Sequence, residues 1–144
     1  MHRENTIDHI LRATWQAIAK MYNEQAAKHD STMSMAFVLL NIDFNHGTPS
    51  TALGPQMGME STSLSRILKK MEDNNLIYRE KNPNDGRGVL VKLTKLGIEK
   101  RAISKEHVLL FNDTVKQHVT KEQLDNFCKV TEIINDLINK KKIF

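Results

Sequence analysis

The fold is decided by the stretch Ser61-Thr62-Ser63-Leu64-Ser65-Arg66-Ile67-Leu68-Lys69-Lys70-Met71-Glu72. Its apolar residues recur at helical spacing, and they are Leu64, Ile67, Leu68 and Met71. The opposite face carries only hydroxyls and cations, namely Ser61, Thr62, Ser63, Ser65, Arg66, Lys69 and Lys70. Short hydroxyl side chains let a helix approach the floor of a DNA groove, while cations meet phosphates. An ordinary solvated helix has a similar composition, so the flanking sequence has to decide between the two interpretations.

A shorter helix is predicted just upstream, over residues 49–57. Thr48 is its predicted N-cap, and Pro49 takes the first helical position. The inward-facing residues are predicted to be Ala52, Leu53 and Met57. Gly58 ends this helix, so a helix, a turn with glycine and a second helix follow one another as in a helix-turn-helix. Pro55 removes one backbone donor inside the short helix, which predicts a kink or a tightened turn.

A β-hairpin is predicted downstream of Asn74-Asn75, where the main helix ends. Residues 76–81 and 89–93 are strand candidates. The segment between them, Asn82-Pro83-Asn84-Asp85-Gly86-Arg87-Gly88, is dense in turn-forming residues. Such a hairpin is a wing with an arginine at its tip, and an arginine there can enter a minor groove.

A series of motifs runs through this region: Leu53…Gly58…Ser61…Ser65-Arg66…Met71-Glu72…Leu76-Ile77, then Asp85-Gly86-Arg87, then Leu93-Thr94-Lys95-Leu96-Gly97. The series resembles the MarR family of winged-helix transcription factors, most specifically in Asp-x-Arg followed by Leu-Thr-x-x-Gly. The resemblance implies a mainly α fold with a small β-hairpin wing, in which residues 33–94 form the winged helix-turn-helix. Residues 5–30 and 95–140 would be dimerisation helices in a single domain covering residues 1–144.

The resemblance and the charge pattern together predict a homodimeric transcriptional regulator, a repressor that binds a pseudo-palindromic DNA duplex. The expected DNA-binding residues are Ser61, Thr62, Ser63, Ser65, Arg66, Lys69, Lys70, Asp85 and Arg87. Arg66 is the main candidate for a base contact, and Asp85 is expected to orient the wing by pairing with an arginine. The stretch from Ser61 to Glu72 would be the reading helix, the helix that contacts the bases. Glu60 stands where the family usually caps this helix, and Ser61 is the alternative cap. A winged helix used for protein interaction, without DNA affinity, remains the alternative.

Ligand sensing is a second implication of the resemblance, because family members often bind small aromatic or phenolic anions between the dimer helices and the reading domain. Candidate lining residues are His9, Trp15, Met35, Leu39 and Met57. The same residues suit a hydrophobic core equally well, and the sequence identifies no ligand.

Four further helices flank the central region. The first is predicted from Asn5 to about Lys28, and the second over residues 33–44 with apolar residues on nearly all sides. Thr94 is expected to cap a third helix over residues 95–117, and Thr120 to open the last one with a capping box. The terminal helices carry more apolar surface than one chain has partners to cover, which favours an interleaved dimer.

Composition excludes several other classes of protein. The net charge of +4 and pI of about 9.2 permit nucleic-acid binding without requiring it. The six histidines are scattered without metal-ligand spacing, and no phosphate loop or nucleophile motif occurs, so no enzyme, metal or cofactor is expected. We see no signal peptide and no membrane span, and the one cysteine fits a reducing cytoplasm. Cys128 is expected to be buried and inert, with a redox switch at this thiol as the alternative.

Overall fold

The computed structural model describes residues 2–144, which are mainly α-helical with one small sheet. A 3-10 turn at Arg3–Asn5 precedes the regular elements. These are α1 (Ile7–Ala27), α2 (Met33–Asn41), β1 (Thr48–Pro49), α3 (Ser50–Met57), α4 (Ser61–Asp73), β2 (Ile77–Lys81), β3 (Val89–Leu93), α5 (Lys95–His118) and α6 (Lys121–Asn139). The chain forms two compact units that divide between Lys105 and Glu106, inside α5. The expected fold class is confirmed.

The sheet is antiparallel with the strand order β1-β3-β2. Ile77 pairs with Leu93 and Lys81 with Val89, so β2 and β3 form the predicted hairpin. The third strand, β1, was not predicted. The sequence indicated that Thr48 caps a helix, whereas in the structure Thr48 pairs with Val91 of β3. The Thr48 hydroxyl is buried and accepts a hydrogen bond from the Asp43 N–H at 2.8 Å. That bond ties Thr48 to the preceding loop, and α3 therefore begins at Ser50.

The core of the first unit is built from side chains of α2, α3, α4 and the sheet. Its buried members are Met35, Val38, Leu39, Ile42, Leu53, Leu64, Leu68, Met71, Leu76, Ile77 and Val91. The apolar stripe of α4 faces this core as predicted, since Leu64 and Leu68 are almost fully buried and Met71 is 0% exposed. Burial of one such side chain contributes roughly 1.5–3 kcal/mol, so the stripe fixes which face of α4 remains outside.

Two helix ends differ from the prediction, at the start of α1 and at the end of α2. Asn5 lies in the 3-10 turn, and α1 begins at Ile7 after Thr6. Helix α2 ends at Asn41 instead of Phe44, because Ile42 turns to an extended backbone and is buried in the core. Pro55 is accommodated within α3, which ends two residues later where Gly58 adopts a φ of +62°. The capping box of Thr120 and Gln123 is confirmed at the start of α6.

Candidate nucleic-acid interface

The outer face of α4 presents every residue that the sequence predicted for it. Its exposed side chains are Ser61, Thr62, Ser63, Ser65, Arg66, Lys69 and Lys70. They lie opposite the buried stripe, so the helix cannot rotate without exposing Met71 or Leu68. The result is a rigid surface of short hydroxyls and cations.

The N-terminus of α4 has no side-chain cap. Glu60 occupies the N-cap position with an extended backbone, and its carboxylate makes no capping hydrogen bond. Ser61 is the first helical residue, so the alternative in which Ser61 caps the helix is wrong. Backbone N–H groups in an uncapped first turn favour a negatively charged partner such as a phosphate, because they add to the positive end of the helix dipole.

The hairpin tip is held by Asn82 and Asp85. The Asn82 N–H bonds the Gly88 carbonyl oxygen at 3.0 Å, and the Gly88 N–H bonds the Asp85 carbonyl oxygen at 3.0 Å. The Asp85 carboxylate accepts a hydrogen bond from the Arg87 backbone N–H at 3.0 Å. Asp85 therefore orients the tip through the backbone of Arg87, and no ion pair joins its carboxylate to an arginine within residues 2–144. The Arg87 side chain is left exposed.

The cations of this region divide into paired and unpaired groups. Arg79 Nε lies 3.0 Å from Glu72 Oε2, and Lys92 Nζ lies 2.9 Å from Glu80 Oε1. The Glu80 carboxylate raises the pKa of Lys92 by accepting its hydrogen bond. Among the residues that the structure describes, no ion pair involves the other cations of this surface, which are Arg66, Lys69, Lys70, Lys81 and Arg87. These unpaired cations surround α4 and the wing, where a phosphate can meet them.

The residues predicted to line a ligand crevice do not share one environment. Met35 and Leu39 are fully buried in the core, and Met57 packs against its edge. His9 is half-buried and Trp15 is exposed, both on α1.

Sequence reasoning missed a contact between Phe44 and Arg101. The Arg101 guanidinium carbon lies 5.7 Å from the centre of the exposed Phe44 ring. Arg101 Nε is buried without a hydrogen-bond partner in the described part of the chain. No sequence signal marked this pair, since Arg101 reads as a surface residue of a long helix and Phe44 as a core residue.

Cys128 is exposed, contrary to the expectation that it is buried. The apolar stripe of α6 on which it lies has no buried residue. Within residues 2–144, no cluster of three histidine, cysteine or acidic side chains is arranged to hold a metal ion. None of the helices described combines the length and apolar character that a membrane span requires.

Comparisons with known proteins identify relatives of this chain. The model of the MarR family matches residues 32–89. The organic hydroperoxide resistance transcriptional regulator of Bacillus subtilis is 30% identical over 97 residues, which are 67% of this chain. The aligned part spans 66% of that regulator's own length and 64% of another curated relative, less than two thirds of either.

Solved structures show the same fold. The Staphylococcus aureus MepR–DNA complex matches with a TM-score of 0.83 at 17% identity, covering 92% of this chain and 98% of that one. The PcaV transcriptional regulator from Streptomyces coelicolor, in complex with its natural ligand, matches with a TM-score of 0.80 at 17% identity. That match covers 94% of this chain and 96% of PcaV. At these identities the likeness concerns the fold.

Proposed function

Because the chain belongs to the MarR family, we propose that it is a transcriptional regulator that binds double-stranded DNA and represses transcription in the cytoplasm. The observation that carries the proposal is the exposed face of α4, where Arg66, Lys69 and Lys70 form no ion pair with any residue that the structure describes, and Arg87 of the wing forms none either. Glu72 and Glu80 are instead paired with Arg79 and Lys92, so these two acids do not neutralise the cations of this face.

Helix α4 enters the major groove in this proposal. Its short hydroxyls allow close approach, Arg66 reads a base edge, and Lys69 and Lys70 contact phosphates. The uncapped first turn of α4 offers its N–H groups to a further phosphate. Arg87 reaches the flanking minor groove from the wing, with Asp85 fixing the tip. The MepR structure, which contains DNA, supports this choice through the shared fold.

A second copy of the chain completes the regulator. No residue of α6 is buried, and Phe127 and Ile133 are 58% and 59% exposed. On α1, Ile7, Ile10 and Trp15 are exposed as well. Each of these helices taken by itself exposes several large apolar side chains, and exposed apolar surface of this kind marks an interaction site. A two-fold homodimer covers identical surfaces with each other and places two reading helices on a pseudo-palindromic site, with half-sites about one helical turn apart.

A small aromatic or phenolic anion regulates DNA binding in this proposal. Arg101 supports it, because a half-buried guanidinium with an unpartnered Nε favours an anionic partner and the Phe44 ring lies beside it. The PcaV structure contains that protein's natural ligand, and it shares this fold. To regulate DNA binding, such a ligand has to bind the dimer more tightly in one relative arrangement of its two winged helix-turn-helix regions than in another. Benzoate is a suitable probe: we expect it to weaken DNA binding by the wild type and to leave Arg101→Gln unaffected.

Fluorescence anisotropy with a random-sequence duplex at low salt tests the function. We expect binding that weakens steeply as salt rises, because phosphate contacts release counterions. The charge-removal variant Lys69→Ala/Lys70→Ala should flatten that salt dependence, whereas Lys140→Ala/Lys141→Ala removes equal charge from the C-terminal segment and should not. A dimer without affinity for any duplex would support the protein-interaction alternative instead.

A further inference from the structure

Helix α5 is joined directly to the turn that follows α4. The Thr94 hydroxyl donates a hydrogen bond to the Asn75 carbonyl oxygen at 2.6 Å. The Thr94 backbone N–H bonds the Leu76 carbonyl oxygen at 3.1 Å. The same hydroxyl accepts a hydrogen bond from the Gly97 N–H at 3.0 Å and so caps α5. The Thr94 side chain therefore caps α5 and also bonds the turn at Asn75, which lies 19 residues earlier in the chain.

Gly97 brings the first turn of α5 against the backbone of Leu76. Gly97 is buried, and a Cβ atom at this position would overlap the Leu76 carbonyl oxygen. A backbone atom cannot move aside as a side chain can, so only glycine permits this approach. Because the two backbones are in direct contact, the first turn of α5 has little freedom to move relative to the turn at Leu76.

Hydrogen bonds also join the turn at Asn75 and Leu76 to the last turn of helix α4. The Asn75 N–H bonds the Glu72 carbonyl oxygen at 3.0 Å, and the Leu76 N–H bonds the Met71 carbonyl oxygen at 2.9 Å. Asn75 adopts a φ of +59°, the left-handed conformation that closes a helix. Hydrogen bonds thus run without interruption from α4 through Asn75 and Leu76 to Thr94 and the first turn of α5.

We propose that Thr94 and Gly97 are positioning residues for DNA recognition, which hold α4 at a fixed angle to α5. The inference rests on the proposed function, and it assigns a role to the Leu-Thr-x-x-Gly motif that contacts no DNA. Because each copy holds its reading helix rigidly, the dimer accepts one separation of half-sites and rejects others. A loose joint would let each reading helix find its half-site independently, and the spacing would matter little.

Thr94→Val tests the inference, because valine keeps the branched shape and loses both hydroxyl bonds. The probes are a DNA site selected from a random pool, the same site with two base pairs inserted between its half-sites, and an isolated half-site. We expect the wild type to bind the lengthened site at least roughly thirtyfold more weakly than the selected site. Thr94→Val should bind the selected site roughly tenfold more weakly, discriminate between the two spacings by less than about threefold, and keep its half-site affinity.

Thr94→Asp separates capping from positioning if the valine variant fails to fold. Aspartate is a good N-cap for the Gly97 N–H but cannot donate to the Asn75 carbonyl. It should also lose spacing discrimination, and its half-site affinity reports any effect of the added charge. Thr120→Val is the matched control, since it removes an equivalent cap from α6 and should keep full discrimination. Thr94→Ser keeps the hydroxyl group and should therefore discriminate between the two spacings as the wild type does.

The outcomes separate the inference from the function beneath it. If the wild type binds DNA and the folded Thr94→Val and Thr94→Asp dimers discriminate between spacings as the wild type does, the positioning role is overturned alone. If the wild-type dimer binds no duplex, the proposed function and the positioning role both fall.

Discussion

Arg79 Nε donates a hydrogen bond to Glu72 Oε2 at 3.0 Å, and this ion pair ties the last turn of α4 to the first strand of the wing. Arg79 and Glu72 remain 36% and 43% exposed, so the pair itself adds less than about 1 kcal/mol to stability. Its larger effect is to neutralise an arginine at the edge of the candidate DNA surface. Arg87 should therefore attract a phosphate more strongly than Arg79, whose charge is already neutralised by Glu72.

Arg87→Ala should weaken DNA binding and lower the salt-dependence slope by about one unit, because one phosphate-facing cation is lost. Arg79→Ala removes the same charge from a residue already paired with Glu72 and should leave the slope nearly unchanged. Affinities measured across a salt series for both variants provide the comparison. Equal slopes for Arg87→Ala and the wild type would remove the wing from the mechanism.

Arg66→Ala should cost about 1–3 kcal/mol of binding free energy and relax the base preference at one position of each half-site. Lys69→Ala should weaken binding by a similar factor on every sequence, since a phosphate contact carries no sequence information. Binding to the selected site and to its single-base variants distinguishes the two. A uniform loss for Arg66→Ala would make it a phosphate contact.

Val130→Asp should convert the homodimer into a monomer near 16.5 kDa, because it places a carboxylate within the exposed apolar stripe of α6. Asn135→Asp introduces the same group about 140° around the helix from Val130 and should leave the dimer intact. Size-exclusion chromatography with light scattering reports the mass. A wild-type chain that stays monomeric at all concentrations contradicts the proposed assembly.

Cys128→Ser should bind DNA as the wild type does, before and after treatment with a low excess of peroxide. The thiol is exposed in a single chain, but in the part of the chain described no hydrogen bond or ion pair links its sulfur to a cation that would activate it. Gel shifts of both proteins with and without peroxide are sufficient. Loss of DNA binding on oxidation in the wild type alone would favour the redox-switched alternative.

Asp43 should make stability sensitive to acid. The His46 backbone N–H, which bonds its carboxylate at 2.6 Å, lowers the pKa of Asp43 below the usual 3.8. A lowered pKa gives a contribution that is present above the unfolded-state pKa and lost as pH falls through the folded one. Urea unfolding between about pH 5 and about pH 3 should show a steeper loss for the wild type than for Asp43→Asn. Parallel curves would mean that the bond does not stabilise the loop.

Local signals in the sequence predicted local structure well. The α4 stripe was predictable because burial on one side of a helix repeats every three to four residues, and the α6 capping box because its partners are three residues apart. Thr48-Pro49 misled for the same reason: it carries a good helix-start signal, and its pairing with β3 depends on residues more than 40 positions away. Tertiary contact overrode local preference there.

The chemistry of the surface was only partly predictable. The sequence indicated which α4 residues are outside, since that follows from helical spacing. It did not indicate which cations are neutralised, because the Glu72–Arg79 and Glu80–Lys92 pairs depend on the angle between α4 and the hairpin and on the hairpin register. Cys128 was expected to be buried on the apolar stripe of α6, but within the single chain no residue of that helix is buried and the thiol is exposed.

Selection of bound sequences from a random duplex pool by the purified wild-type protein tests the central claim most directly. If two copies of α4 and the wing read DNA together, the enriched sites will be pseudo-palindromic, with half-site centres about 10–10.5 base pairs apart. A pool that shows no enrichment, or that converges on a single asymmetric element, would contradict the account.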